Sequence, residues 1–576
     1  MQQYEDYTKE RKKNLGAFYT PKDLADYLAR ATFSLCKFDL SIEPLTVLDP
    51  ATGDSALLLS LSELVKPKLK IRYCGIDVEK EAIERSSISF TQKGLNASFF
   101  QMDALFPYTN KSSEEGWSSF LKSSIPNGVD IIVSNPPWGA DKSQYNNLGK
   151  DFTTATGQFD IYDLFIETSI KVLKQGGCFG LIVPDSIYCE EHTPIRKFLL
   201  ENTTIRRIVR LGEGIFPNIN IAVSLIFGIK KKSNNTKVIC SHLTNALKND
   251  VINNKLTIKK AVDSCAIKVP QKLMLEEGYS FLTDIKTTDS DLLALLRQAD
   301  KVENVAECHR GIEISKKGHV YRCLNCNKWF PQPRAHKDND HVKCPHCNAE
   351  ALPSQLELKG IIKTTKTKCS KPIIVGEDIS RYYTESKSNI TTGIDGINYK
   401  EDHIYEGSKV LVRKTGVGIT VGIDYDNCLT NQVVYILKRK ASVNSAITNE
   451  VILAILNSRI ITYYIIKTLG SNGWKSNAYL TQTNVMQLPF PQVNGDEKTY
   501  AILNKITKLI KPSANDKKVI LSDKDDAELE YLVSELYGLN ESDYDIIFQS
   551  IKEVQQMIPF QRLLNITKED IFKNGI

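Results

Sequence analysis

LDPATGDSALLL, residues 48–59, reads as the end of a strand, a tight turn at Gly53 and the start of a helix. A turn glycine at that place lets a ligand approach the main chain closely. Outward from it the same rhythm repeats. LTVLDP (45–50), YCGIDV (73–78), DIIVSNPP (130–137) and CFGLIVP (178–184) are short apolar or β-branched runs that end in turn residues. Helical stretches lie between them: ALLLSLSELV, EKEAIERSSI and DIYDLFIETSIKVLK. This alternation is βαβ, so the fold class is α/β, a largely parallel sheet with covering helices. The helix near 160–174 is expected to end at Gly176-Gly177 in a left-handed cap. Upstream, Thr20-Pro21-Lys22-Asp23 opens another helix, with Thr20 as cap and Pro21 in the first turn.

The chain has 576 residues, with 74 Lys+Arg against 68 Asp+Glu and a net charge of +6. That balance is too weak for a histone-like coat and compatible with a local nucleic-acid face. Hydrophobic residues are 41% and charged residues 25%, which excludes collagen, coiled-coil and wholly disordered chains. No apolar run approaches the ~18 residues of a membrane span. MQQYEDYTKERKKN lacks the apolar stretch of a signal peptide. The 13 cysteines, an odd number, read as reduced thiols apart from one cluster, so a cytoplasmic location is expected.

Three strand-end features in order point to a bound nucleoside. Gly53 makes the first turn, Asp77 ends the next strand where an acid takes ribose hydroxyls, and Asp103 follows a third apolar run. The turn reads Gly53-Asp54-Ser55 and lacks G-x-G-x-x-G, so a pyrophosphate cradle is not supported. S-adenosylmethionine needs no such cradle.

Asn135-Pro136-Pro137-Trp138 follows the strand DIIVS. An exocyclic amine on a heteroaromatic ring is a poor nucleophile because its lone pair is delocalised. The side-chain oxygen of Asn135 and the carbonyl of Pro136 could accept its two hydrogens, with bonds that strengthen as charge develops. The prolines would fix the backbone so that both acceptors converge, and Trp138 offers a flat face to a base.

NLGAFYTP (14–21), DPATGDS (49–55), Asp77, Asp103, NPPW (135–138) and GEGIFPNINIAVSLIFGIKK (212–231) occur in this order. The chain resembles the gamma-type N6-adenine DNA methyltransferases that carry a Taq-type C-terminal specificity domain. The resemblance implies a Rossmann-like methyltransferase domain over residues 1–245 and a connection over 246–300. It also implies a mixed α+β target-recognition domain over 301–495 and a helical C-terminal region over 496–576. It implies methyl transfer from S-adenosylmethionine to N6 of a flipped adenine in double-stranded DNA, in a restriction–modification or related defence system. By this match Phe18, Tyr19, Thr20 and Pro21 would pack around the methionine end of the cofactor. Asp49, Thr52 and Gly53 would lie along it, Asp77 would bind its ribose, and Asp103 with Leu105 its adenine. Asn135 and Pro136 would bind the target amino group, and Phe216 would stack on the flipped base opposite Trp138. Two departures stand out: Ser55 where many members have a second glycine, and Trp138 where tyrosine or phenylalanine is commoner.

VAECHRGIEIS (305–315), KPIIVGEDISRYY (371–383), SKVLVRKTG (408–416) and LAILNSRIITYYI (453–465) match the specificity domains in order. Lys359, Lys363, Lys366, Lys368 and Lys371, with Arg413 and Lys414, could take phosphates or bases, or simply line a solvated surface. Cys323-x-x-Cys326 and Cys344-x-x-Cys347 have the spacing of a four-thiolate Zn2+ site, whose closed tetrahedron leaves only a structural role. His336, His341 and His346 lie inside that span, so one could substitute as a ligand, and Trp329 and Phe330 could touch DNA or cover the metal. Methylation of a protein glutamine and a non-catalytic DNA-binding subunit are the competing readings. A separate cognate restriction endonuclease or defence partner is left open, and no membrane partner is expected.

Overall fold

The computed structural model describes residues 20–36, 44–65, 69–108, 110–140, 142, 145, 148–216, 221–233, 236–276, 278–333, 341–469, 479–493, 495–510, 521–554 and 558–573. The chain divides into two compact units, Met1–Thr287 and Thr288–Ile576.

The first unit is built on nine strands: β1 (Leu45–Asp49), β2 (Ile71–Asp77), β3 (Ala97–Gln101), β4 (Val129–Ser134), β5 (Leu173–Pro184), β6 (Thr204–Gly212), β7 (Val223–Ile229), β8 (Lys237–His242) and β9 (Ala266–Pro270). Their spatial order is β3-β2-β1-β4-β5-β7-β6-β8-β9. Every position of β1 and β4 is buried, which is why both read as mainly apolar with no in–out alternation. β1 to β5 pair in parallel. β7 runs antiparallel to both β5 and β6, so the sheet is mixed where the alternation suggested a largely parallel one. The segment joining β6 to β7 is too short to return the chain through a crossover helix, and an antiparallel pair results.

Two local expectations change. The helix that opens the described chain spans Lys22–Phe33 with Pro21 at its cap position and no side-chain cap, so Thr20 does not cap it. The later helix spans Ile161–Val172 and stops because Leu173 is already extended. Gly176 is left-handed at φ +82°, but its N–H donates to the Lys230 carbonyl beside the β5–β7 pairing rather than closing a helix. The stretch 246–300, expected as a connection, is largely regular. Helices Asn245–Ile252 and Ile258–Ser264 carry threonine caps, and β9 pairs antiparallel with β8.

In the second unit, two four-stranded sheets share one core that includes Ile312, Ile314, Ile373, Ile390, Leu411 and Ile436. Smaller pairings of Trp329–Pro331, His319–Arg322 and Glu357–Gly360, and of Val342–Lys343 with Glu350–Ala351, carry the cysteine cluster. No single helix among the described residues is long and apolar enough to cross a membrane. The bent pair Asn449–Leu456 and Arg459–Thr468, which reaches that length and apolarity only together, is largely buried. The helical C-terminal region joins this core through Arg459. Its guanidinium is fully buried, 3.0 Å from Asp526 and 3.1 Å from Glu530 on helix Asp523–Tyr537, and its Nε donates to the Leu563 carbonyl.

Removing one partner of a buried ion cluster leaves uncompensated charge. Arg459→Met is therefore expected to lower stability by about 3–5 kcal/mol, measured by urea unfolding. A midpoint equal to that of the parent would refute the role given to this residue.

Candidate active site

Strand order reverses between β1 and β4, and the carboxyl ends of an open α/β sheet leave a ligand crevice at such a point. The ends of β1, β2, β3 and β4 and the turns that follow them supply Asp49, Thr52, Gly53, Asp77, Asp103, Leu105 and the residues of NPPW.

Asp49 closes β1. It is fully buried, and its Oδ1 accepts from the Ala51 N–H at 3.1 Å. Burial pushes its carboxyl up to about 7, aided by the charge of Asp77 and opposed by hydrogen bonds from Ala51 and Ser134. Asp77 closes β2. Its two oxygens accept from the main-chain N–H of Gly53 at 2.8 Å and of Glu79 at 2.9 Å. Asp103 accepts from the Leu105 N–H at 2.8 Å and from the Tyr145 hydroxyl at 3.0 Å, and Leu105 is fully buried. Burial raises both carboxyls, and these donors pull them back down.

Gly53 is left-handed at φ +49°, and a Cβ there would meet no atom within 4 Å, so its main chain faces open space. Ser55 is also left-handed, at φ +58°. By the resemblance, many members carry glycine at this position, and a left-handed conformation suits glycine, since a side chain there costs about 1–2 kcal/mol. Ser55 offsets that cost with its hydroxyl, which lies 2.9 Å from Thr52 Oγ1 and donates to Ser86 at 2.7 Å. Ser86 also donates to the Gly53 carbonyl at 3.1 Å. The departure at Ser55 thus tightens the turn, with Thr52 built into it.

Asn135 follows β4 and is half-buried; its Nδ2 donates to Thr20 Oγ1 at 3.1 Å. That bond accounts for Thr20 better than a capping role, and it assigns Oδ1 as the acceptor end of the amide. Pro21 follows Thr20 at the helix cap position. Pro136 is buried and Pro137 half-buried. Trp138 and Phe216 are both buried and meet edge to face, ring centroids 5.5 Å apart at 81°. A base sandwiched between two rings needs about twice the ~3.4 Å stacking distance, so these rings touch where the resemblance implied an open slot. Phe18 and Tyr19 lie outside the described residues.

Several residues here were not singled out from sequence. The Asp185 carboxylate holds Arg210 at 2.9 Å and accepts from Ser224 at 2.6 Å, all three buried. They come from the ends of β5, β6 and β7 and brace the base of the turn carrying Phe216. Tyr145 reaches Asp103, and Asp160 reaches the Gly139 N–H. Each of these pairs is distant in sequence, so spacing carried no signal for it.

In the second unit the sulfurs of Cys323, Cys326, Cys344 and Cys347 all lie within 4.8 Å of one another. Cys323 and Cys347 are 3.5 Å apart, Cys326 and Cys344 3.8 Å. Four thiolates about 2.3 Å from zinc form a tetrahedron with edges of roughly 3.8 Å, so the donor set fits. Left-handed Asn327 and Asn348 close the two knuckles alike. Phe330 packs on Cys323 and Cys344, so it covers the cluster. Trp329 is held by its main chain: its N–H donates to the Asp395 carbonyl at 2.9 Å, and its own carbonyl lies 3.2 Å from His346 Nε2. His341 is exposed, and His336 lies outside the described residues. Lys359, Lys363, Lys366, Lys368 and Lys371 are all exposed, whereas Arg413 and Lys414 are half-buried.

Residues 2–287 match the family model described as N-6 DNA Methylase, and residues 371–490 the TaqI-like C-terminal specificity domain. The type II methyltransferase M.BanIII of Aneurinibacillus aneurinilyticus is 33% identical over 234 residues, 38% of this chain and 39% of that protein. The type I restriction enzyme MpnII methylase subunit of Mycoplasma pneumoniae is 25% identical over 273 residues, 45% and 48% of the two chains. The matched region thus spans less than half the length of these curated relatives. In fold, the chain is similar to the type IIL restriction-modification enzyme MmeI solved in complex with DNA. That similarity has a TM-score of 0.53 at 12% identity and covers 96% of this chain and 80% of that one.

Because the folded state holds Asp49 near 7 against an ordinary 3.8, its neutral form is favoured by folding. That contribution is present below about pH 4 and is lost as pH rises through about 7. Asp49→Asn should therefore lose less melting temperature than the parent between about pH 5 and 8 in calorimetric scans. Parallel pH slopes would refute this.

Proposed function

We propose, from the premise that residues 2–287 belong to the N-6 DNA methylase family and residues 371–490 to the TaqI-like specificity domain family, that this chain is a sequence-specific adenine-N6 DNA methyltransferase. The observation that carries the reading is the meeting of NPPW with Asp49, Gly53, Asp77 and Asp103 around one strand-order reversal. Asp77 would take ribose hydroxyls on the lone pairs that its two N–H donors leave. Asp103 would accept from the adenine amino group of the cofactor, with Leu105 against its ring. Asp49, Thr52 and the bare main chain of Gly53 would line the remainder. When bound, S-adenosylmethionine supplies a sulfonium-activated methyl group.

The target nitrogen is inaccessible inside a duplex, so the base has to leave the stack. Oδ1 of Asn135 and the carbonyl of Pro136 would accept the two amino hydrogens and draw the nitrogen towards tetrahedral geometry. Its lone pair then becomes available to the methyl carbon. As the C–N bond formed, the methyl–sulfur bond would break with its electron pair retained by the departing thioether, and the nitrogen would afterwards shed one proton. Trp138 and Phe216 would part from their edge contact to admit the base, and stacking on an aromatic face contributes roughly 1–3 kcal/mol towards the cost of flipping.

Four thiolates at tetrahedral separation support a structural Zn2+ at Cys323, Cys326, Cys344 and Cys347. This module falls between the two matched segments, outside both family models. Double-stranded DNA is the proposed partner, in a restriction–modification or related defence setting in which a separate endonuclease would act on unmethylated sites.

Purified protein with S-adenosylmethionine and plasmid DNA should yield N6-methyladenine at one short motif, mapped by single-molecule sequencing. Asn135→Ala should lower the rate by about 10²–10³-fold while still binding DNA; an unmodified plasmid would refute the reading. Elemental analysis should find one zinc per chain, and Cys344→Ser should lose it together with several degrees of melting temperature. Full metal-free stability would refute the site.

A further inference from the structure

Trp138 is followed by Gly139, where the chain turns at φ +64°. The Gly139 N–H donates to both carboxylate oxygens of Asp160, at 3.0 and 3.1 Å. Asp160 is also the cap of helix Ile161–Val172: its Oδ1 accepts from the Ile161 N–H at 2.6 Å. One carboxylate therefore joins the exit of NPPW to the start of a buried helix. The adjoining residues repeat the closure, since Lys142 donates to the Phe159 carbonyl at 2.7 Å and lies 4.2 Å from the Phe159 ring.

The helix end is itself fixed. The Asp160 N–H donates to Asp163 Oδ2 at 3.1 Å, completing a capping box. The same oxygen lies 2.7 Å from Nδ1 of His192, a buried ring stacked on Tyr162 at 5.1 Å and 27°. The Tyr162 hydroxyl is 3.0 Å from Ser186 Oγ, just past β5. Asp163 and Tyr162 of the helix, with His192 and Ser186 from the segment after β5, thus anchor Asp160 on one side, and Gly139 is what it holds on the other.

We propose that Asp160 is a positioning residue that clamps the NPPW turn, so that the acceptors of Asn135 and Pro136 stay aimed at the target amino group. The proposal rests on the methyltransferase reading above. A misplacement of about 1 Å in such a group costs on the order of 10²-fold in rate, and a carboxylate–amide bond is about twice as strong as a neutral one. Capping alone would not select aspartate, because serine and asparagine cap equally well. Serine is too short to reach Gly139 as well.

Asp160→Ser therefore separates the two roles. In single-turnover methylation by the full chain with saturating S-adenosylmethionine, it should slow the chemical step about 10–100-fold. Cofactor and DNA dissociation constants should stay within about two-fold of the parent, and melting should shift by no more than about 2 °C. Asp160→Asn, which keeps the reach but not the charge, should fall between. Hydrogen exchange of the peptide bearing Trp138 and Gly139 should quicken in Asp160→Ser, a readout independent of any substrate. A parental rate with unchanged exchange overturns the clamp, as does a loss of rate matched by loss of melting temperature and cofactor affinity. If the parent methylates no DNA, the methyltransferase reading falls; unchanged exchange in Asp160→Ser then overturns the clamp separately.

Discussion

The constraint on which the rest of the first unit depends is the reversal of strand order at β1. With β2 on one side and β4 on the other, connections leave in opposite directions and no helix can close the gap at the carboxyl ends. The turns after β1, β2, β3 and β4 all open there. Asp49, Asp77, Asp103 and Asn135 thus become neighbours although 86 residues separate the first from the last. A sheet of another order would carry the same motifs and scatter them.

The second constraint is that polar groups gathered at this edge are out of water. Buried acceptors without donors cost several kcal/mol, and here each carboxyl is matched to main-chain N–H groups of its own turn or the neighbouring one. Asp77 takes the Gly53 and Glu79 amides, and Asp103 takes that of Leu105. This arrangement shapes the turns and leaves the acids raised but answered. The Asp185–Arg210–Ser224 cluster works alike on the other flank, fixing the ends of three strands beneath Phe216. Phe216, on the turn between β6 and β7, meets Trp138, which follows β4, so the aromatic contact joins two strand ends.

In the second unit, the four cysteines gather among the small pairings around residues 319–360, where Tyr321, Phe330 and Val342 form a small buried core with Cys323 and Cys344. Phe330 packs within the cluster, and Trp329 ties it to the turn at Asp395 through one main-chain bond. Arg459 performs the corresponding task between the apolar helix pair and the C-terminal helices, with two carboxylates answering one guanidinium.

The sequence by itself determined the α/β rhythm, the strand ends that carry Gly53, Asp77 and Asn135, and the four-thiolate set. All are local: periodicity, turn chemistry and ligand spacing are written within a few residues of one another. It also marked Ser55 as unusual, without the reason, because the left-handed conformation and the Ser86 hydroxyl that offsets it lie in different elements. Tertiary structure alone decided that β7 turns antiparallel, that Thr20 serves Asn135 rather than its own helix, and that Trp138 and Phe216 meet edge to face. It alone joined Asp160 to Gly139 and Tyr145 to Asp103. In each case the partners are brought together by sheet order and burial, which set distances between residues far apart in the chain, and no pattern within a single segment encodes such a distance.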